Sequence, residues 1–96
     1  MPRRLHYTVH GMVQGVWFRW FTKQKADELG IVGWVTNDAG GSVSGVAVGI
    51  SDSALDQFKR AIKRGPPAAR VERVDVTDEG ETDDIEFTSF EIRGGL

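Results

Sequence analysis

Apolar side chains occupy Leu5, Tyr7, Val9 and Val13, with His6, Thr8 and His10 between them, which is the two-residue period of a strand with one buried face. The alternation predicts β1 over Leu5–Val13. The period then lengthens. Phe18, Phe21, Thr22, Ala26 and Leu29 share one helical face within Trp17–Leu29, Gly30 supplies a C-terminal stop, and Lys25 is a charge falling inside the stripe. This predicts α1. Val32–Asn37 and Val43–Ile50 are β-rich runs with Asp38-Ala39-Gly40-Gly41 between them, a hairpin signal that predicts β2 and β3. Ser51 or Ser53 caps a second helix, α2, in which Leu55, Phe58 and Ile62 share a face and which Lys63-Arg64-Gly65-Pro66-Pro67 terminates. Arg70–Asp78 alternates imperfectly through Val71, Val74 and Val76, the acidic stretch Asp78–Asp84 reads as a turn, and Phe87–Arg93 reads as a last strand.

The order β-α-β-β-α-β with an extra C-terminal strand predicts an α+β fold. It is the ferredoxin-like split βαβ sandwich, an antiparallel sheet covered on one face by two helices. No repeat or linker interrupts it, so residues 1–96 are expected to form a single domain burying roughly two thirds of its unfolded surface. Composition narrows the chemistry. The net charge is −2 and the twelve Lys and Arg are scattered, which disfavours nucleic acid as a partner. There is no cysteine, which removes disulfides, thiolate nucleophiles and thiolate metal sites. No apolar run approaches the length of a membrane span and Met1-Pro2-Arg3-Arg4 leads directly into a strand pattern, so the expectation is a cytoplasmic, monomeric protein that meets no membrane. This fold serves many functions, and the site must decide.

The junction between β1 and α1 reads Gly11-Met-Val-Gln-Gly-Val-Trp-Phe-Arg19. Glycines there permit backbone conformations in which successive N–H groups of Val13 to Phe18 turn inward as a concave nest of donors. The N-terminus of α1 points its partial positive charge at the same concavity, and Arg19 adds a planar fork of charged donors. Together they suit a small dianion. The stretch is neither a Walker A loop nor a dinucleotide fingerprint. A plain tight turn with a solvated arginine fits these residues equally well. The second candidate is Asn37, at the end of β2. If β1 and β2 are parallel neighbours, Asn37 faces the nest, and its carboxamide can hold a water without acting as a strong base. Ordinary turn chemistry also accounts for Asn37-Asp38 before Ala39-Gly40-Gly41.

The stretch from Gly11 to Arg19 resembles the acylphosphatase signature Gly-x-Val-Gln-Gly-Val-x-Phe-Arg at every specified position. Gly30-Ile-Val-Gly-Trp-Val-Thr-Asn37 is similar to that family's Gly-x-x-Gly-x-Val-x-Asn, and the likeness continues through Gly41–Gly49, the helix with Phe58, Gly65–Val71 and Phe90–Arg93. Trp17 stands at the variable signature position, Thr22 replaces a commonly apolar residue, and Gly94-Gly95-Leu96 runs past the usual end. None of the three is expected to touch a functional residue. The resemblance implies hydrolysis of the mixed anhydride of an acyl phosphate to a carboxylate and inorganic phosphate. It further implies that Arg19 and the N–H groups of Gln14, Gly15, Val16, Trp17 and Phe18 grip the phosphoryl oxygens while Asn37 orients the attacking water. Phosphate and sulfate would compete with substrate.

The physics agrees with that implication. A carboxylate leaves readily without a general acid, and a loose phosphoryl-transfer transition state asks mainly for positioning and charge stabilisation. No cofactor and no metal are expected. His6 and His10 read as residues of the polar strand face, and Asp78–Asp84 lacks the oxygen-ligand spacing of a calcium loop. Aromatic residues in so small a domain are more often core or pocket lining, but Trp17 and Trp20 lie off the apolar stripe of α1, which makes them candidates to border the site and leaves contact with an acyl group open. The competing account is a non-catalytic module that uses the nest to bind an anion, for which Asn37 has no purpose. The acylphosphatase-like domain that opens larger carbamoyl-transfer maturation proteins is disfavoured by the absence of zinc-finger cysteines.

Overall fold

In the computed structural model residues 2–83 and 86–94 are described; Met1, Asp84 at the end of the expected acidic turn, Ile85, and the final Gly95 and Leu96 lie outside them. The elements run β1 Arg3–Met12, α1 Phe18–Leu29, β2 Val32–Asn37, β3 Val43–Gly49, α2 Asp52–Arg64, β4 Arg70–Glu81 and β5 Phe90–Arg93. Local chemistry sets their ends. Gly30 closes α1 at φ 69 with its N–H bonded back to the carbonyls of Ala26 and Asp27. Ser51 begins α2 by accepting a bond from the Ala54 N–H at 3.1 Å. Thr22, the odd polar residue in the α1 stripe, is fully buried because its hydroxyl donates to the Phe18 carbonyl at 2.8 Å.

The strands form one sheet in the order β4-β1-β3-β2-β5. Pairing is antiparallel through β4, β1, β3 and β2, and β5 then adds in parallel to β2, with Gly33 opposite Phe90. β1 and β2 are therefore parallel but not neighbours, since β3 lies between them. Their C-terminal ends still reach the same edge of the sheet, because each is antiparallel to β3. The acidic turn starts later than the sequence suggests. β4 continues through Glu81, and Asp78 sits at φ 50 beside the register shift opposite Arg4 and His6, so one residue is bulged out and the pairing resumes. At the other end Phe87 falls before β5, which begins at Phe90.

Both helices contact the sheet on the face where Leu5, Tyr7, Val9, Val35 and Ala47 are buried with Phe58 and Phe90. The Tyr7 ring meets Phe58 edge-on at 5.4 Å, and its hydroxyl donates to the Trp34 carbonyl at 2.8 Å in space left by Gly45. Burial pushes this phenol's pKa well up and keeps it neutral. On the opposite face Val46 and Val48 are also buried, and the guanidinium of Arg93 lies 5.1 Å from the Trp34 ring and 6.0 Å from that of Phe87. Arg93 and Phe87 thus lie on the side of the sheet that the helices leave uncovered.

Candidate active site

The site begins where β1 ends. Gly15 has φ 74 and Trp17 has φ 64, with Val16 between them at negative φ. Left-handed positions so spaced allow successive N–H groups to turn toward one side, as an anion nest requires. Gly15 adopts its conformation freely. For Trp17, the N-cap of α1, the left-handed conformation costs on the order of 1 kcal/mol. The cap position makes no side-chain hydrogen bond to the helix and the first turn carries no acidic residue, so the partial positive end of α1 faces the loop without a built-in counter-charge.

Two long-range contacts hold this loop and its arginine. The Gln14 carboxamide donates to the carbonyls of Asp38 at 2.7 Å and Ser42 at 2.9 Å, stapling the loop to the β2–β3 turn. That turn is itself braced, because the Asp38 carboxylate accepts the hydroxyls of Ser42 at 2.8 Å and Ser44 at 2.9 Å. The residue before Asp38 is Asn37, so the bracing fixes where β2 delivers it. Arg19, in the first turn of α1, donates from Nη1 to the carbonyls of Arg93 at 2.9 Å and Gly94 at 3.3 Å. This corrects the expectation that the chain's last residues touch nothing functional: Gly94 accepts from Arg19. A Cβ built at Gly94, whose φ is 94, would lie 3.5 Å from Arg19 Nη1 and 3.7 Å from the Asn37 backbone nitrogen, so the end of β5 sits between the two candidate residues.

A cavity of about 450 Å³ opens at this junction, lined by Gly15, Trp17, Phe18, Arg19, Asn37 and Ile92 among others. Arg19 and Asn37, from opposite ends of a 19-residue interval, thus share one concavity with the loop. Val16 lines a neighbouring apolar groove instead, and Gln14 contributes its side chain to the turn. Sequence reasoning missed the Arg93 and Gly94 carbonyls and Ile92. A carbonyl acceptor has no residue-type signature, so only the three-dimensional path of β5 reveals it. The histidines lie elsewhere: His10 pairs with Asp75 at 3.0 Å on β4, a part-exposed contact of small energetic weight. Among the described residues no group of three or more His, Cys, Asp or Glu is placed to hold a metal ion. No described helix is long and apolar enough to cross a membrane.

The acylphosphatase family profile matches residues 5–92. An acylphosphatase of Thiobacillus denitrificans is 45% identical over 92 residues, covering 95% of this chain and 97% of its own. One from Rhizorhabdus wittichii is 51% identical over 78 residues, covering 81% of this chain and 76% of its own. Among solved structures, the crystal structure of acylphosphatase from Bacillus subtilis superposes with a TM-score of 0.87 at 35% identity, covering 96% of this chain and 99% of that one.

Proposed function

The chain belongs to the acylphosphatase family, and from that premise we propose that it hydrolyses acyl phosphates by direct attack of water on a phosphoryl group held by Arg19 and the loop. The observation carrying the reading is that Arg19, Asn37 and the loop residues Gly15, Trp17 and Phe18 line a single cavity at the N-terminus of α1.

In this mechanism the phosphoryl dianion rests against the N–H groups from Gln14 to Phe18 and the guanidinium of Arg19. The carbonyls of Arg93 and Gly94 engage Nη1 and hold the guanidinium at the wall of the cavity, where its charge addresses the phosphoryl oxygens. Asn37 holds a water in line with the bond to be broken. The water oxygen forms a bond to phosphorus as the bond between phosphorus and the bridging acyl oxygen breaks. The electron pair of that bond leaves with the carboxylate, and the proton lost by the water is taken up by the phosphate product or by solvent. A carboxylate carries the charge without being protonated, so the site needs no acid at that position. Charge spreads over the equatorial phosphoryl oxygens in the transition state, and preorganised donors stabilise it there.

Two outcomes test this reading. The purified protein is expected to release phosphate from acetyl phosphate in the presence of a chelator, with phosphate monoesters turned over far more slowly, since nothing at the site would protonate an alkoxide leaving group. Activity abolished by the chelator and restored by a divalent cation would overturn the metal-independent mechanism. Phosphate and sulfate are expected to inhibit competitively and to raise the melting temperature, by about 2.7 kcal/mol of added stability at one hundred times the dissociation constant. Chloride at equal ionic strength is the control, and equal stabilisation by chloride would count against the nest.

A further inference from the structure

Beside the phosphoryl cavity runs a second concavity of about 490 Å³, lined by Val16, Trp17, Trp20, Phe21 and the loop residues Pro66, Pro67 and Ala68. Every lining residue is apolar. Trp17 and Trp20 line both concavities, so the two adjoin at the indole rings. These indoles are 78% and 53% exposed, although large aromatics in a small domain are ordinarily core residues. Trp17 in addition holds a left-handed backbone that glycine would adopt without strain.

We infer that this groove receives the acyl group of the substrate and that the protein prefers acyl phosphates whose acyl group is aromatic. The inference rests on the acylphosphatase reading, which fixes the phosphoryl end in the neighbouring cavity. From there the acyl group has an uncharged path across Trp17 and Trp20. A flat ring stacks on indole and proline faces and removes both indoles from water, whereas an acetyl group leaves them solvated. Ala68, at the exposed loop, lies outside the phosphoryl cavity and lines only the groove.

The experiment compares kcat/KM for 2-naphthoyl phosphate and acetyl phosphate, whose leaving groups have similar basicity, in the wild type, Trp20→Ala and Ala68→Gln. The wild type is expected to favour the naphthoyl substrate by about tenfold or more. Trp20→Ala removes most of that preference, and Ala68→Gln lowers naphthoyl hydrolysis severalfold while leaving acetyl phosphate hydrolysis unchanged. Calorimetry with 2-naphthoylphosphonate and acetylphosphonate, which resist hydrolysis, reads the groove independently of turnover and is expected to give the same order of affinities. If neither acyl phosphate is hydrolysed while the naphthoyl phosphonate still binds more tightly, the acylphosphatase reading fails and the groove stands as an aryl site. Both substrates hydrolysed with equal kcat/KM, or both slowed equally by Trp20→Ala, overturn the groove and leave the acylphosphatase reading intact. A dimer in sedimentation that Ala68→Gln dissociates would overturn it too, by showing that a second copy of the chain covers the groove.

Discussion

Replacing Arg19 by alanine is expected to weaken phosphate binding and to lower turnover by at least roughly 10²–10³-fold, the scale of losing one preorganised electrostatic donor. Both properties fall because the guanidinium addresses the phosphoryl group in the bound substrate as well as in the transition state. Arg19→Lys is the sharper control. A single ammonium cannot hold the carbonyls of Arg93 and Gly94 and present a planar fork to the phosphoryl oxygens at the same time, so lysine should recover little of the activity. Initial rates with acetyl phosphate and inhibition constants for phosphate measure the two effects. An Arg19→Ala protein that binds phosphate like the wild type would remove the arginine from the site.

Asn37→Ala is expected to lose turnover on the same scale, roughly 10²–10³-fold, while competitive phosphate binding stays near the wild-type value. The asparagine is assigned to the water, so its loss leaves the phosphoryl group held and the nucleophile misplaced. It ends β2 half-buried, ahead of a turn braced by Asp38, and the substitution should cost only about 1 kcal/mol of stability. Chemical denaturation, phosphate inhibition and turnover on one preparation separate these quantities. Near-normal turnover would reduce Asn37 to turn chemistry and favour an anion-binding module without catalysis.

Much of this was legible in the chain because it is written locally. The alternation through Leu5, Tyr7 and Val9 marked β1, and Gly30 and Gly65 marked the helix ends. The likeness of two short stretches to one family drew Arg19 and Asn37 into the same site, and the structure places both on one cavity. What escaped were relations between distant segments. Periodicity says nothing about which strand neighbours which, so β3 between β1 and β2 and the parallel addition of β5 were not readable. Nor was the Gln14 staple, because a glutamine in a loop carries no mark of its partner. The bulge at Asp78 was hidden by composition, since an acidic run that resembles a turn can remain paired when its side chains face water.

The grip of the Arg93 and Gly94 carbonyls on Arg19 spans 74 and 75 residues of chain. During synthesis, which runs from the N-terminus at roughly 5–20 residues per second, β1, α1, β2 and β3 emerge while those carbonyls do not yet exist. Both sheet edges, β4 and β5, come from the last third of the sequence, and closing such long loops is slow compared with forming a helix or a hairpin. The Arg19 corner is therefore completed only once β5 has paired with β2. A nascent or proteolytically shortened chain lacking β5 would have Gln14 to Arg19 and Asn37 but not the two carbonyls that engage Nη1.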